Sequence, residues 1–239
     1  FPLTLGARGS ATLGGLAATN AGGTQVLRFG TMRAQVLGIE AVLAGGLVHD
    51  GLGGLKKDNR GISLDQLLVG AEGTLGIITA LRLRLVPAVA ARAVAWIGMA
   101  SPEQAWTLLG ELESASERIE GFEILPETCL DSVLAHVPGT RAPLTGRHDW
   151  HVLVELTADS AEAEQPSATL ARLLAAPHER GLIEDAVIAA SEAQAEAFWG
   201  LRDSISEGER ARGPAAQHDI SVPPSAMACF MTEAAVEVE

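Results

Sequence analysis

Gly14-Gly15-Leu16-Ala17-Ala18-Thr19-Asn20-Ala21-Gly22-Gly23, continued by Leu27-Arg28-Phe29-Gly30 and Val36-Leu37-Gly38, is the stretch from which the rest of the chain is read. Side chains this small bury little apolar area, and glycine loses much backbone freedom on folding, so such a run cannot build a core. Its use is to let the backbone approach something closely or adopt dihedrals that other residues avoid. A second cluster, Gly70-Ala71-Glu72-Gly73-Thr74-Leu75-Gly76, stands directly before the apolar run Ile77-Ile78-Thr79-Ala80-Leu81. Two glycine-rich turns, each beside a short strand-like segment, predict a cradle for a large phosphorylated cofactor held by main-chain N–H groups. Neither cluster is a Walker Gly-Lys-Ser/Thr or a G-x-G-x-x-G fingerprint.

Working outward, the strand-like segments nearest the clusters are Val36 to Leu43, Leu47 to Asp50 and Gly76 to Leu85. The last alternates Leu81, Leu83 and Leu85 with Arg82 and Arg84, the pattern of a half-buried strand. A helical turn at 65–68 is expected to send Leu64, Leu67 and Leu68 inward. Lys56-Lys57-Asp58-Asn59-Arg60-Gly61 reads as a charged turn. Pro87 ends the third strand, and a boundary is placed near Ala90.

Beyond it the rhythm changes. A strand at Arg92 to Met99 precedes Ser101-Pro102-Glu103, a helix start with Ser as cap and Pro at the first position. The helix to Ser116 is followed by strand Ile119 to Leu125, a short helix at 126–133 and a Pro/Gly loop from His136 to His148. Then come strand His151 to Leu156, helix Glu162 to Ala175, strand Ala186 to Ala189, helix Ser191 to about Ala211, and strand Asp219 to Val222. The Asp159 to Glu164 patch reads as a solvated loop and cap. This is a layered module of strands and helices in alternation.

Composition narrows the functions. The 239 residues carry 17 Lys+Arg against 30 Asp+Glu, a formal charge of -13, with no tyrosine. That balance argues against nucleic acid or an anionic membrane as partner. No apolar run reaches the roughly 18 residues of a membrane span. Cys129 and Cys229 read as unpaired thiols of a reducing compartment; the expected location is cytoplasmic, with peripheral membrane association left open. Phe1 at the start and a helix-like run to Glu239 at the end read as an internal piece of a longer protein.

Within the first cluster Thr19 and Asn20 are the strongly polar side chains. Asn20 reads either as a hydrogen bonder to phosphate or as a residue tolerating a left-handed backbone. In the second cluster, Glu72 before Gly76-Ile77-Ile78 is placed at an adenine or pyrophosphate edge. Further on, Phe198, Arg202 and Ser206 recur at helical spacing on one face. The Arg202 guanidinium reads either as a bidentate clamp for a small carboxylate or as a snorkelling surface cation. Glu209, Arg210 and Arg212 beyond it read as solvated. His148 and His151 are the histidines closest to metal-ligand spacing, without a third ligand, so no metal site is assigned to this chain.

Taken together, these segments resemble the FAD-linked oxidase family with the vanillyl-alcohol-oxidase-type flavin domain, in its D-lactate, glycolate and D-2-hydroxyglutarate dehydrogenase branch. The resemblance is carried by Gly14-Gly15, Thr19-Asn20-Ala21-Gly22-Gly23, Arg28-Phe29-Gly30, Val36-Leu37-Gly38, Lys57-Asp58-Asn59-Arg60-Gly61 and Gly70 through Thr79. Gly121-Phe122-Glu123, Leu201 through Glu207 and His218-Asp219-Ile220-Ser221-Val222-Pro223 extend it.

The resemblance implies an α+β fold: the second half of a PCMH-type FAD-binding domain (1–90), then a ferredoxin-like α/β substrate or cap domain (91–239), incomplete at both ends. It implies FAD lined by Gly14, Gly15, Thr19, Asn20, Gly22 and Gly23 toward the pyrophosphate, and by Glu72, Gly73, Gly76 and Ile78 toward the adenosine. Arg202 and Ser206 stand where hydroxyglutarate-type members place an Arg and a Thr on the substrate carboxylates, and with Gln217 and His218 they form the catalytic set. Implied partners are a small 2-hydroxy acid and an electron acceptor (carrier protein, quinone or oxygen); a homodimer is among the assemblies allowed. The implied activity is oxidation of a D-2-hydroxy acid to the 2-oxo acid by hydride transfer to flavin N5. The alternative is a flavin-binding subunit without turnover.

Three departures stand out. Gln217 occupies the place of a customary Lys, fifteen residues past Arg202, and removes a charge for a distal carboxylate. Ile62 stands where Tyr is common. The N-terminal glycine loop and the C-terminal His-rich segment, to which the resemblance assigns the first phosphate grip, a divalent metal and the base, lie outside these residues.

Overall fold

The computed structural model describes residues 1–55, 57–59, 61–160 and 164–238, with the side chains at 235 and 238 left aside. Parts of two expected features, the charged turn at Lys56 and Arg60 and the helix start at Glu162, lie outside them. The chain forms two compact units, Phe1–Ala88 and Val89–Glu239.

The first unit begins with three short helices, α1 (Leu13–Ala18), α2 (Val26–Phe29) and α3 (Met32–Gln35), followed by β1 (Val36–Leu43), β2 (Val48–Asp50), α4 (Leu64–Leu68) and β3 (Gly76–Leu83). The strands form an antiparallel sheet in the order β2-β1-β3. β1 and β2 form a hairpin whose turn needs Gly46 at φ 79°, a dihedral that glycine takes without steric cost. The core is small: Leu3, Ala17, Met32, Val36, Ile39, Ala41, Leu68 and Val69.

Two expectations change here. Gly14 and Gly15 lie inside a helix rather than a turn, because Thr12 caps it by accepting a hydrogen bond from the Gly15 amide. Of the three leucines expected inward at α4, only Leu68 is buried; Leu64 and Leu67 are more than half exposed. A helix this short has one buried edge.

The second unit runs β4 (Ala91–Met99), α5 (Pro102–Ala115), β5 (Ile119–Pro126), α6 (Glu127–His136), β6 (Trp150–Ala158), α7 (Pro166–Glu179), β7 (Asp185–Ile188), α8 (Glu192–Asp203), α9 (Ile205–Arg212) and α10 (Met227–Val238). Its antiparallel sheet has the order β5-β6-β4-β7, the ferredoxin-like arrangement in which β4 and β6 are central. Both central strands are buried over nearly their whole length, so both faces of the sheet are covered. On one face Val94, Trp96 and Leu153 pack with Leu130, Val133, Ala195, Phe198 and Leu201. Alternation along β4 turns Ala95, Ile97 and Met99 to the other face, on the side of α5 and α7, both of which contact this strand.

The Ser101 cap expected from the sequence is present, and Ser191 starts α8 in the same way. Ser101 accepts from the Gln104 amide while the Gln104 side chain accepts from the Ala100 amide, and Ser191 and Gln194 repeat the pattern.

The expected helix 191–211 is two helices, broken at Ser204 (φ -85°, ψ 0°). The expected strand 219–222 is absent: residues 213–223 form no regular element and pair with neither sheet. A strand needs an edge to pair with, and apolar alternation over four residues does not provide one.

Candidate functional site

The break at Ser204 builds the site of the second unit. Arg202 stands in the last turn of α8 and Ser206 in the first turn of α9. At Gly208 a Cβ would sit 2.9 Å from the carbonyl carbon and oxygen of Ser132, so only glycine lets α9 lie this close to α6. Gly213, at φ 137°, then releases the chain into the irregular segment. Between α9 and that segment is an open cavity of about 1070 Å³, lined by Arg202, Ser206, Glu209, Arg212, Gln217, His218 and Asp219. The four residues assigned to the catalytic set therefore share one cavity.

Arg202 is already engaged. Its Nε and Nη2 donate to Glu123 Oε2 on β5 at 3.1 and 2.9 Å, and Nη1 reaches Asp203 Oδ1 at 3.4 Å. Burial works most strongly against its charge, but Glu123 and Asp203 together raise the guanidinium pKa above its ordinary range. Gln217 Nε2 donates to Glu209 Oε2 at 2.9 Å. Arg212 Nη1 donates to Ser132 Oγ at 3.1 Å. Burial pushes the nearby Cys129 thiol up, with Glu209 adding to the effect and Arg212 opposing it.

Arg212 is exposed, as the sequence reading has it, and Glu209 is half-buried; both also line this open cavity. The spacing 206, 209, 212 along one face of α9 is the signal that carries them. Glu123 was quoted only as part of a motif, and nothing in the sequence tied it to Arg202. Phe198, predicted to share the face of Arg202, is buried in the core.

In the first unit the two glycine clusters meet. The Ala17 and Ala18 carbonyls at the end of α1 accept from the Gly70 and Glu72 amides at 3.0 and 2.9 Å, and Gly14 lies over β3 at Ile78. Asn20 and Glu72 both have φ 49°. The left-handed reading of Asn20 thus holds, and its Oδ1 accepts from the Arg33 amide at 2.9 Å. The Thr19 hydroxyl turns back to the Gly15 carbonyl at 3.0 Å.

Space above the glycines tests the fit to FAD. A Cβ at Gly14 would meet only Ile78 O at 3.9 Å, and one at Gly73 only Ile77 Cδ1 at 3.7 Å. At Gly22 it would strike Val26 Cγ2 at 2.6 Å, at Gly23 the Thr4 carbonyl at 2.1 Å, and at Gly76 the Val42 carbonyl at 3.0 Å. Gly22, Gly23 and Gly76 therefore serve the protein's own close packing. A side chain would meet no clash at Gly14 or Gly73, although Gly73, at φ 80°, is set as glycine by its backbone as well.

His148 and His151 are held by other partners. His151 Nδ1 accepts from Trp96 Nε1 at 3.0 Å, its Nε2 faces Glu127 Oε2 at 2.5 Å, and His148 Nδ1 faces Glu184 Oε2 at 2.7 Å. Burial pushes the His151 imidazole below its ordinary range, more strongly than Glu127 raises it. Among the described residues no group of three or more His, Cys, Asp or Glu is arranged to hold a metal ion, and both cysteines are free. Among the described residues no helix is long and apolar enough to cross a membrane.

Residues 89–238 match the family model of FAD linked oxidases, C-terminal domain, and residues 1–51 match that of a FAD binding domain. The second glycine cluster lies outside the latter match. The chain is 37% identical over 226 residues to D-2-hydroxyglutarate dehydrogenase, mitochondrial, of Arabidopsis thaliana, covering 93% of this chain and 40% of the relative. A mitochondrial Schizosaccharomyces pombe protein bearing the name D-lactate dehydrogenase is 36% identical over 225 residues, with 93% and 42% covered. The chain thus spans about two fifths of the length of these relatives. Among solved structures, an alkyldihydroxyacetonephosphate synthase shares the fold at TM-score 0.58 and 16% identity, over 84% of this chain and 38% of that one. With the C-terminal family model covering well over half of its residues, the chain belongs to the FAD-linked oxidases.

Proposed function

We propose that the protein containing this chain oxidises a D-2-hydroxy acid to the corresponding 2-oxo acid, with residues 1–90 contributing to FAD binding and 91–239 to the substrate site. The observation that carries this reading is the single cavity gathering Arg202, Ser206, Gln217 and His218. The Arg202 fork orients the carboxylate of the acid, which positions the carbon bearing the hydroxyl. The Ser206 hydroxyl and the Gln217 amide add hydrogen bonds, and His218 presents its ring to the same space. On the first unit, Gly14, Gly15, Glu72, Gly73 and Ile78 would hold the flavin nucleotide, Gly14 and Gly73 by leaving room for it. FAD, when bound, supplies the two-electron acceptor for the hydride.

The electron acceptor belongs to the same proposal as a carrier protein, quinone or oxygen. The cytoplasmic placement rests on the free thiols, while both relatives quoted above carry "mitochondrial" in their names. Anaerobic titration of the full-length flavoprotein with D-lactate, glycolate and D-2-hydroxyglutarate tests the activity. Bleaching of the oxidised-flavin absorbance by at least one is expected. Flavin-loaded protein that none of them bleaches would favour the subunit without turnover.

A further inference from the structure

The cavity holds two guanidinium groups in different states. Arg202 is neutralised by Glu123 and Asp203. Arg212 has only the neutral Ser132 hydroxyl as hydrogen-bond partner, with no carboxylate within ion-pair distance among the described residues. Two carboxylates also line this space: Glu209 is engaged by the Gln217 amide, and Asp219 stands on the irregular segment. Among the described residues the guanidinium of this cavity without a carboxylate partner is therefore Arg212, an exposed side chain on its wall.

Its position is built. Ser132 is buried, and its hydroxyl donates to the Thr128 carbonyl at 2.9 Å, which leaves its lone pair for the Arg212 guanidinium. The absence of a side chain at Gly208 brings α9 close enough for that bond. One Nη is thus tethered, and the remaining donors of the fork are available to a ligand.

We infer that Arg212 is the second anion contact of this site, taking the distal carboxylate of a dicarboxylic 2-hydroxy acid in place of the charge that Gln217 lacks. Arg202 takes the carboxylate next to the hydroxyl. This rests on the oxidoreductase reading for the reaction, but the anion contact stands on the geometry of the cavity alone. A volume of about 1070 Å³ accommodates a small dianion with water to spare, since ligand clefts typically run to about 300–1,000 Å³.

The test uses full-length flavin-loaded protein and two non-oxidisable probes, glutarate and butyrate, titrated calorimetrically into wild type, Arg212→Gln and Arg212→Lys. Loss of a charge-assisted hydrogen bond predicts roughly tenfold weaker glutarate binding in Arg212→Gln. Butyrate is expected to shift far less, and Arg212→Lys to recover most of the loss. The KM ratio of D-2-hydroxyglutarate to D-lactate should rise by a similar factor in Arg212→Gln. Equal weakening of both probes, or no change in either, overturns the inference. If no 2-hydroxy acid bleaches the wild-type flavin, the reaction is wrong, and the glutarate titration still decides the contact.

Discussion

At Gly98 a Cβ would lie 2.4 Å from the His148 ring, against the buried middle of the sheet. Gly98→Ala should therefore destabilise the second unit by about 1–3 kcal/mol, the range for overpacking a core, read as a lower midpoint in urea denaturation. Arg202→Ala is the corresponding change in the cavity. Removing a charged, bidentate donor should cost about 1.5–3 kcal/mol of substrate binding, roughly ten- to hundredfold in KM, while the flavin spectrum is retained. Unchanged KM for every acid tested would remove Arg202 from the site. At this scale the sequence showed which residue types matter and not whom they meet. Arg202 stood out because a guanidinium in line with apolar residues is conspicuous, whereas Glu123 lies 79 positions away and meets it only through the fold. Gly22 and Gly23 are open to two readings for the same reason. Glycine demanded by the Thr4 carbonyl and glycine demanded by a phosphate look alike in one dimension.

Helices and strands were more legible where periodicity and caps agreed. The Ser101-Pro102 and Ser191 starts, the central strands and most alternation of the second unit could be read, because a buried strand and a capped helix each write their own pattern. Failures came where an element depends on a neighbour. The segment 219–222 has the composition of a strand but pairs with neither sheet, and one predicted helix is two because Ser204 leaves helical dihedrals, at ψ 0°. That departure turns Ser206, Glu209 and Arg212 toward the cavity, so the site exists only through the misread element. Gly208→Val should push α9 off α6 at a cost of about 1–3 kcal/mol and weaken glutarate binding through the displaced Arg212. A variant that melts lower yet binds glutarate as wild type would show that the α6–α9 approach does not position the guanidinium.

Taken whole, the chain is two units with separate cores, and the residues at 87–90 are exposed. Limited proteolysis is expected to cut there first, leaving a protected fragment of the second unit. Acidity should act on that unit through His151, whose folded pKa lies below its ordinary 6.5 because burial disfavours the imidazolium. Below about pH 6.5 the unfolded chain binds a proton that the folded one does not, so stability present above that value is lost as pH falls toward the folded pKa. Glu127, Asp131 and His148 modulate this titration. Melting midpoints from neutral to mildly acid pH should fall for the wild type and fall less for His151→Gln; parallel curves would exclude His151 as the source.

The pairing of Arg202 with Glu123 has a consequence for how ligands arrive. If an incoming carboxylate replaces Glu123 on the fork, the number of ion pairs is conserved in the exchange. Affinity for a monoacid should then vary little with ionic strength. A dianion that also reaches Arg212 creates a pair where none existed, and salt should screen it. Butyrate isotherms nearly superimposable from dilute to concentrated sodium chloride, beside glutarate isotherms that weaken steadily, would distinguish replacement at one arginine from capture at the other.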